Sequence, residues 1–285
     1  MNQPQRIEFS PDPAGRGFRR LEGSVAVVTG GSFGIGLATA RLLASEGAAI
    51  AIVARQDDRL AGARVELEAL AGEGRCLAMS GDVRSEADVG SFFETVVEQF
   101  GGFDVVVSNA GSHHGAAIED TSLDDWSRMM ETHAGGAFLV SRAAFRFWKG
   151  ARRGGRLVFV ASKAAVASTP KAAAYSAAKA AQFHLARCLA EEGGPFGIRV
   201  NTVLPDGVIR GTGIFSPEQR IVAANRHGVA PEALEHFYAQ RNALKASITP
   251  EDVARAILFL ACDESAVING AGLTVDGGVP TGYLR

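Results

Sequence analysis

The sequence predicts an α/β fold built on a doubly wound parallel sheet in a single domain. Three observations carry that expectation. Short apolar runs alternate with longer stretches of helical periodicity. A glycine-rich loop joins the first apolar run to the first helical pattern. The polar residues suited to chemistry follow the apolar runs, where open α/β sheets gather their ligands.

Strand-like runs lie at Val25–Thr29, Ala49–Val53, Cys76–Met79, Val105–Ser108, Leu157–Ala161 and Val200–Leu204, with a short last one at Gly272–Val275. After the first run comes Thr29-Gly30-Gly31-Ser32-Phe33-Gly34-Ile35-Gly36. A helix should follow, with Leu37, Ala40, Leu43 and Ala44 inward and Arg41, Ser45 and Glu46 outward. Further helical patterns span Ser85–Phe100, Asp124–Trp148 and Ala172–Glu192. Strands separated by such helices imply βαβ units, and right-handed crossovers place the ligand crevice at the carboxyl ends of the strands. Gly30, Asn109, Ser162 and Pro205 all follow predicted strands, so they should converge on one edge of the sheet. The stretch 211–248 interrupts the alternation with Pro217, Pro231, two helical patterns and the larger side chains Phe215, His236, Phe237 and Tyr238.

The 285 residues, 47% hydrophobic and 21% charged, have the composition of a globular chain with one large core. A net charge of −2 without a basic stripe argues against a nucleic-acid surface. No apolar run is long enough to span a membrane. Cys76, Cys188 and Cys262 are scattered, which suits a reducing cytoplasm and buried thiols. Residues 1–20 hold three prolines and four arginines without an apolar segment, so they read as a flexible tail ahead of a domain over 21–285.

Tyr175 and Lys179 are four apart on a predicted helix and therefore share a face. A lysine cation beside a phenol favours the phenolate and makes it usable as acid or base. Ser162, at the end of a strand, offers a hydroxyl to a carbonyl oxygen. The plainer alternative is a surface Tyr and Lys on an alanine-rich helix with Ser162 in a loop. The loop spacing Gly30-x-x-x-Gly34-x-Gly36 would let backbone approach a pyrophosphate at a helix N-terminus.

That spacing, followed in order by Asn109-Ala110-Gly111, Ser162, Tyr175 and Lys179, resembles the short-chain dehydrogenase/reductase superfamily, in its shorter T-G-x-x-x-G-I-G branch, over roughly Leu21 to Gly278. The resemblance implies a Rossmann-like fold and hydride transfer between a nicotinamide cofactor and a carbonyl or alcohol. It implies Ser162, Tyr175 and Lys179 as catalytic residues, with Lys179 also binding the nicotinamide ribose. Cofactor contacts are carried over to Gly30, Ser32, Phe33, Gly34, Ile35 and Gly36, and to Asp82, Val83, Asn109, Ala110 and Gly111. Tyr175, Lys179, Pro205, Asp206 and Val208 complete that set. It also makes the 211–248 stretch a small helical substrate lobe, a role it would share with a plain peripheral helix pair. Members commonly form homodimers or homotetramers through long helices. Ala172, Ala173, Ala177, Ala178, Ala180 and Ala181 would allow such an approach, or equally packing on the chain's own sheet.

Cofactor choice is read after the second strand, where an acid would favour NAD. Ala54 stands there instead, followed by Arg55, whose fork suits a 2′-phosphate. NADP(H) is therefore expected over NAD(H). The alternative has Arg55 stacking on adenine while Asp57 or Asp58 serves the ribose. Asp82 is either the family's acid near the adenine or a cap for the next helix.

Three departures from the family pattern stand out. His133 of His133-Ala134-Gly135-Gly136 occupies the place of a catalytic asparagine, so the resemblance makes it a fourth catalytic residue. Pro205-Asp206-Gly207 replaces Pro-Gly, and Arg210 replaces a threonine. Residues 206–211 and 241–245 look like the dehydrogenase domain of bifunctional rhamnulose-phosphate aldolase/dehydrogenases, which would imply a small hydroxy-aldehyde and usually NAD. Two rivals remain: a nucleotide-binding scaffold weakened through His133, and a non-redox epimerase or dehydratase. His113 and His114 border the cofactor loop, as substrate contacts or as exposed histidines; His184, His227 and His236 show no metal spacing. Trp126 and Trp148 are expected to pack.

Overall fold

Seven strands, β1 Val25–Thr29, β2 Ala49–Ala54, β3 Cys76–Ser80, β4 Val105–Ser108, β5 Gly155–Val160, β6 Ile198–Pro205 and β7 Gly272–Val275, form one parallel sheet in the order β3-β2-β1-β4-β5-β6-β7. This is the computed structural model of the chain, described over residues 19–55, 58–167, 170–215 and 217–280. Most of the expected tail, and Asp57, lie outside those residues. Arg20, counted with the tail, is tied to the body by an ion pair to Glu46.

The chain reverses strand order at β1/β4, the crevice where such sheets take ligands. Both faces of the sheet are covered, which explains why the central strands read as continuous apolar runs. On one face, Val28, Ile52, Val107, Val158 and Val203 pack with α1 (Gly34–Ser45), α2 (Asp58–Ala71) and α9 (Pro250–Ala261). On the other, Val27, Ala51, Val106, Leu157 and Phe159 meet α3 (Glu86–Phe100), α5 (Gly136–Gly150) and α6 (Ala173–Gly193). α4 (Leu123–Met130) leads into α5 through a π turn, Glu131–Gly135, where a single helix was expected. α9 begins on a capping box of Thr249 and Asp252 with Pro250 in its first turn, a signature that fixes its entry.

The lobe forms two helices, α7 (Pro217–His227) and α8 (Leu234–Gln240), as expected. It has its own small core of Ile209, Ala223, Ala224 and Leu234 with Phe215 and Tyr238. Burial corrects two expectations. Trp148 is fully buried, its indole N–H donating to Phe103 O at 2.9 Å, but Trp126 lies at the surface. Cys76 and Cys262 are buried thiols, whereas Cys188 is exposed.

Candidate active site

The parallel register brings the ends of β1, β4, β5 and β6 to one edge, and the expected site residues with them. Thr29 closes β1, and its Oγ1 accepts from the backbone N–H groups of Asn109 and Ala110, both at 3.0 Å. Asn109 Nδ2 donates to Thr29 O at 2.9 Å and Gly30 O at 3.3 Å, so it braces the glycine loop. Gly36 sits where any Cβ would strike Gly30 O and Asn109 Nδ2, which is why the loop needs glycine there. The loop delivers α1 with Phe33 at its N-cap, no side-chain cap and no acid in the first turn. Its first N–H groups are thus left for an anion, as a pyrophosphate requires. Those residues fit a dinucleotide.

Phe33 is exposed with the Arg59 guanidinium 5.1 Å above its ring, while Ser32 and Ile35 are half-buried. Past the ends of β2 and β3 an open groove of about 470 Å³ is lined by Arg55, Ser80, Gly81 and Asp82. Arg55 is exposed, and its charge helps hold the Asp82 carboxyl below its usual range, after the larger effect of bonding to Arg84. Asp82 does not cap α3; Ser85 does, accepting from Asp88 N at 3.1 Å, and Asp82 instead grips Arg84. Val83 is buried against Gly136 at the start of α5. A larger hollow of about 640 Å³ opens at the far, amino ends of β5 and β6, where Arg153 and Arg156 are already paired to Asp104 and Asp263.

Tyr175 and Lys179 share one face of α6, as their spacing requires, and both are buried. Lys179 Nζ lies 5.9 Å from the centre of the Tyr175 ring. Its hydrogen bonds go to Val160 O at 2.8 Å and Gln182 Oε1 at 2.9 Å. Burial pushes the Tyr175 phenol up to about 12, with a hydrogen bond from Ser162 pulling the other way and Asp206 adding to the rise. Burial also lowers Lys179 to about 7. The expected depression of the phenol is therefore not met: removal from water disfavours the charged form of both groups and is the largest influence on each. Ser162 Oγ accepts from Ala164 N at 3.1 Å, which fixes the serine at the head of a short turn, Lys163–Ala165.

Two imidazoles flank Tyr175. His113 lies 4.9 Å and His133 5.3 Å from its ring centre, both edge-on. His133 is buried in the π turn, with Nε2 2.7 Å from Ser112 O and Nδ1 without a hydrogen-bond partner among the described residues. Since a carbonyl only accepts, Nε2 carries the proton. Gly111 allows this packing: a Cβ there would come within 2.6 Å of His133 Cε1. His114 faces Asp125 at 3.5 Å. Arg210 points outward to Glu235, away from these groups. Pro205 ends β6, and buried Val208 follows the turn through Asp206.

Sequence reasoning missed Gln182 and Lys163. The first is signalled by its position three residues after Lys179 on the same face, the second by adjacency to Ser162. Among the described residues no cluster suits a metal ion, and no helix is long and apolar enough to cross a membrane.

Residues 30–280 match the family model described as enoyl-(acyl carrier protein) reductase. The chain belongs to the short-chain dehydrogenase/reductase superfamily. That superfamily consists of oxidoreductases that generally use NAD(P)(H). An uncharacterized oxidoreductase of Bacillus subtilis, YuxG, is 44% identical over 264 residues; the match covers 92% of this chain and 38% of that protein. The chain thus spans about two fifths of that relative. Meso-2,3-butanediol dehydrogenase of Serratia marcescens is 32% identical, covering 91% of this chain and 95% of that one. The crystal structure of a levodione reductase superposes with a TM-score of 0.81 at 26% identity, covering 90% of this chain and 98% of that structure.

Proposed function

We propose that this short-chain dehydrogenase/reductase moves hydride between NADP(H), in preference to NAD(H), and a small carbonyl compound or secondary alcohol. The observation that carries the proposal is the meeting of Ser162, Tyr175 and Lys179 beside an uncapped, glycine-lined helix start. A bound nicotinamide supplies hydride for reduction or accepts it for oxidation. In the reducing direction Ser162 orients the substrate's carbonyl oxygen, and Tyr175 gives that oxygen its phenolic proton as negative charge develops there. Lys179, held by hydrogen bonds to Val160 and Gln182, binds the ribose and steadies the phenolate that remains. The glycine loop, Asn109–Gly111, Asp82–Val83 and the backbone of Pro205–Val208 border the cofactor, with Arg55 toward a 2′-phosphate.

The lobe over 211–248 closes this pocket: Gly211 O and Thr212 lie against Gly34 of the glycine loop. The likeness of residues 206–211 and 241–245 to rhamnulose-phosphate aldolase/dehydrogenases, and the butanediol relative, both favour a small hydroxylated substrate. A cytoplasmic homodimer or homotetramer, with one catalytic domain over 21–285, is the matching assembly.

The test is oxidation of NADPH and NADH by the purified protein against a panel of aldehydes and ketones. Tyr175→Phe removes the transferable proton and should lower turnover ~10²-fold or more while cofactor affinity holds. Activity retained in that variant removes Tyr175 as the acid. Cofactor binding without turnover of any carbonyl favours a scaffold or an epimerase.

A further inference from the structure

The carboxyl ends of β5, β6 and β7 carry charged groups that hydride transfer does not use. Lys163, the residue after Ser162, is 3% exposed, and its Nζ stands 4.0 Å from Asp206 Oδ1. Asp276, the residue after β7, is 4% exposed. Its Oδ1 accepts from Gly278 N at 2.9 Å, while its Oδ2 is buried with no hydrogen-bond partner among the described residues. The register sets these groups side by side, since Val160 pairs with Val203 and Pro205 with Val275. The ring of Tyr238, from the lobe, covers the adjoining Gly207.

A separation of 4.0 Å is an ion pair and not a hydrogen bond. Burial pushes the Asp206 carboxyl above its ordinary range, with the charges of Lys163 and Arg241 and a hydrogen bond from the Gly207 N–H opposing that and Asp276 adding to it; one backbone hydrogen bond leaves other acceptor positions on the carboxyl group open. Val160 pairs with Val203, so Asp206 leaves β6 beside the turn that carries Ser162, and its charge adds to the rise of the Tyr175 phenol; it therefore lies near the groups that meet the substrate's oxygen. A substrate bearing only alkyl groups there would strip water from Asp206 and return nothing. An anionic substrate would meet two carboxyl groups. A hydroxyl on the substrate would donate the missing hydrogen bond.

We propose that Asp206, steadied by Lys163, is a specificity-determining residue that accepts a hydrogen bond from a second hydroxyl of the substrate, so that neutral hydroxy-carbonyl compounds and their diols are preferred. This rests on the oxidoreductase reading. In the reaction, hydride adds to the carbonyl carbon, the Tyr175 proton adds to its oxygen, and the second hydroxyl is unchanged.

The experiment compares kcat/KM for 1-hydroxy-2-butanone, 2-butanone and pyruvate in the wild type, Asp206→Ala and the isosteric Asp206→Asn, with the cofactor dissociation constant of each. The wild type should favour the hydroxyketone over 2-butanone by about tenfold or more, the value of one hydrogen bond to a charged group, with pyruvate poorest. Asp206→Ala should bring the first ratio close to one while cofactor affinity stays within about twofold. Asp206→Asn, which keeps an acceptor oxygen, should retain part of the preference. Equal handling of the two ketones by the wild type overturns the proposal. So do equal losses on both, or a collapse of cofactor affinity that makes Asp206 a nicotinamide contact. A second readout needs no turnover: the melting temperature of the cofactor-loaded protein with 2,3-butanediol against 2-butanol. A diol-selective rise without turnover sinks hydride transfer and leaves the hydroxyl subsite standing. Turnover with neither preference nor selective rise sinks the subsite alone, and neither turnover nor rise removes both.

Discussion

Arg55 stands exposed one residue beyond β2, near enough to Asp82 to lower its carboxyl, and faces an open groove. A 2′-phosphate placed there would meet an unshielded guanidinium, and Ala54 offers no acid to compete for a ribose hydroxyl. Arg55→Ala should therefore weaken NADPH by roughly tenfold to a hundredfold, the range for a charged hydrogen bond, with NADH little changed. Titrating both cofactors by fluorescence checks this, and equal losses would reassign Arg55 to adenine stacking. Single residues were legible where spacing alone places them. Tyr175 and Lys179 lie on one face because four residues make about a helical turn. Their ionisation was not legible, because burial of 93% or more of each residue is a property of the folded sheet and α6 together. Asp206 and Lys163 are close only through the β5/β6 register, which no local pattern announces.

The element between Leu123 and Gly150 shows where periodicity misleads. An apolar pattern over 124–148 predicts one helix, yet the backbone widens to a π turn at Glu131–Gly135 before α5 resumes. Such turns accompany functional sites, and this one turns the His133 ring toward Tyr175. Gly135 and Gly136 were visible in the sequence; the hydrogen bond to Ser112 O that anchors the ring was not, since it joins residues 21 apart. Burial first, then the charge of Lys179, and to a smaller extent that of His113, keep the imidazole well below its ordinary pKa of 6.5, with the Ser112 bond opposing them. The neutral ring leaves Nδ1 as a buried acceptor, and we propose that it holds a water through which protons pass between Lys179 and solvent. Protonation would fill that acceptor and stop the relay. The rate should accordingly fall on the acid side with a midpoint well below 6.5, and His133→Asn should remove that limb while the enzyme stays active. Profiles of kcat against pH for the two proteins measure it, and an unchanged limb would mean that His133 only packs.

At the scale of the molecule the parallel sheet and its strands were anticipated, though not their order: each of the seven runs is a strand, with ends within two residues. Strands buried on both faces write their position directly as apolar runs, and glycine or polar residues mark where each one stops. The π turn and the ion pairs at the strand ends were not anticipated, because they depend on neighbours distant in sequence. Burying Lys179 under this sheet has a consequence for the whole fold. Its pKa falls from an ordinary 10.5 to about 7. Between those values the unfolded chain binds a proton that the folded, cofactor-free protein does not, so stability rises with pH there. Above pH ~9 the sign reverses for other groups. Burial raises Cys76 from 9.0 to about 11 and Cys262 to about 12, and Tyr175 from 10.0 to about 12, so the unfolded chain loses those protons first. The Lys179 contribution is thus cleanest between pH 7 and about 9. The melting temperature of the cofactor-free protein should climb across that window, and Lys179→Met, which keeps the length of the side chain without its charge, should flatten the climb. Calorimetry at half-unit steps of pH measures both slopes. A wild-type melting temperature that is level or falling from pH 7 to 8.5, or a slope that survives the substitution, would mean that the buried ammonium does not set the pH dependence of the fold.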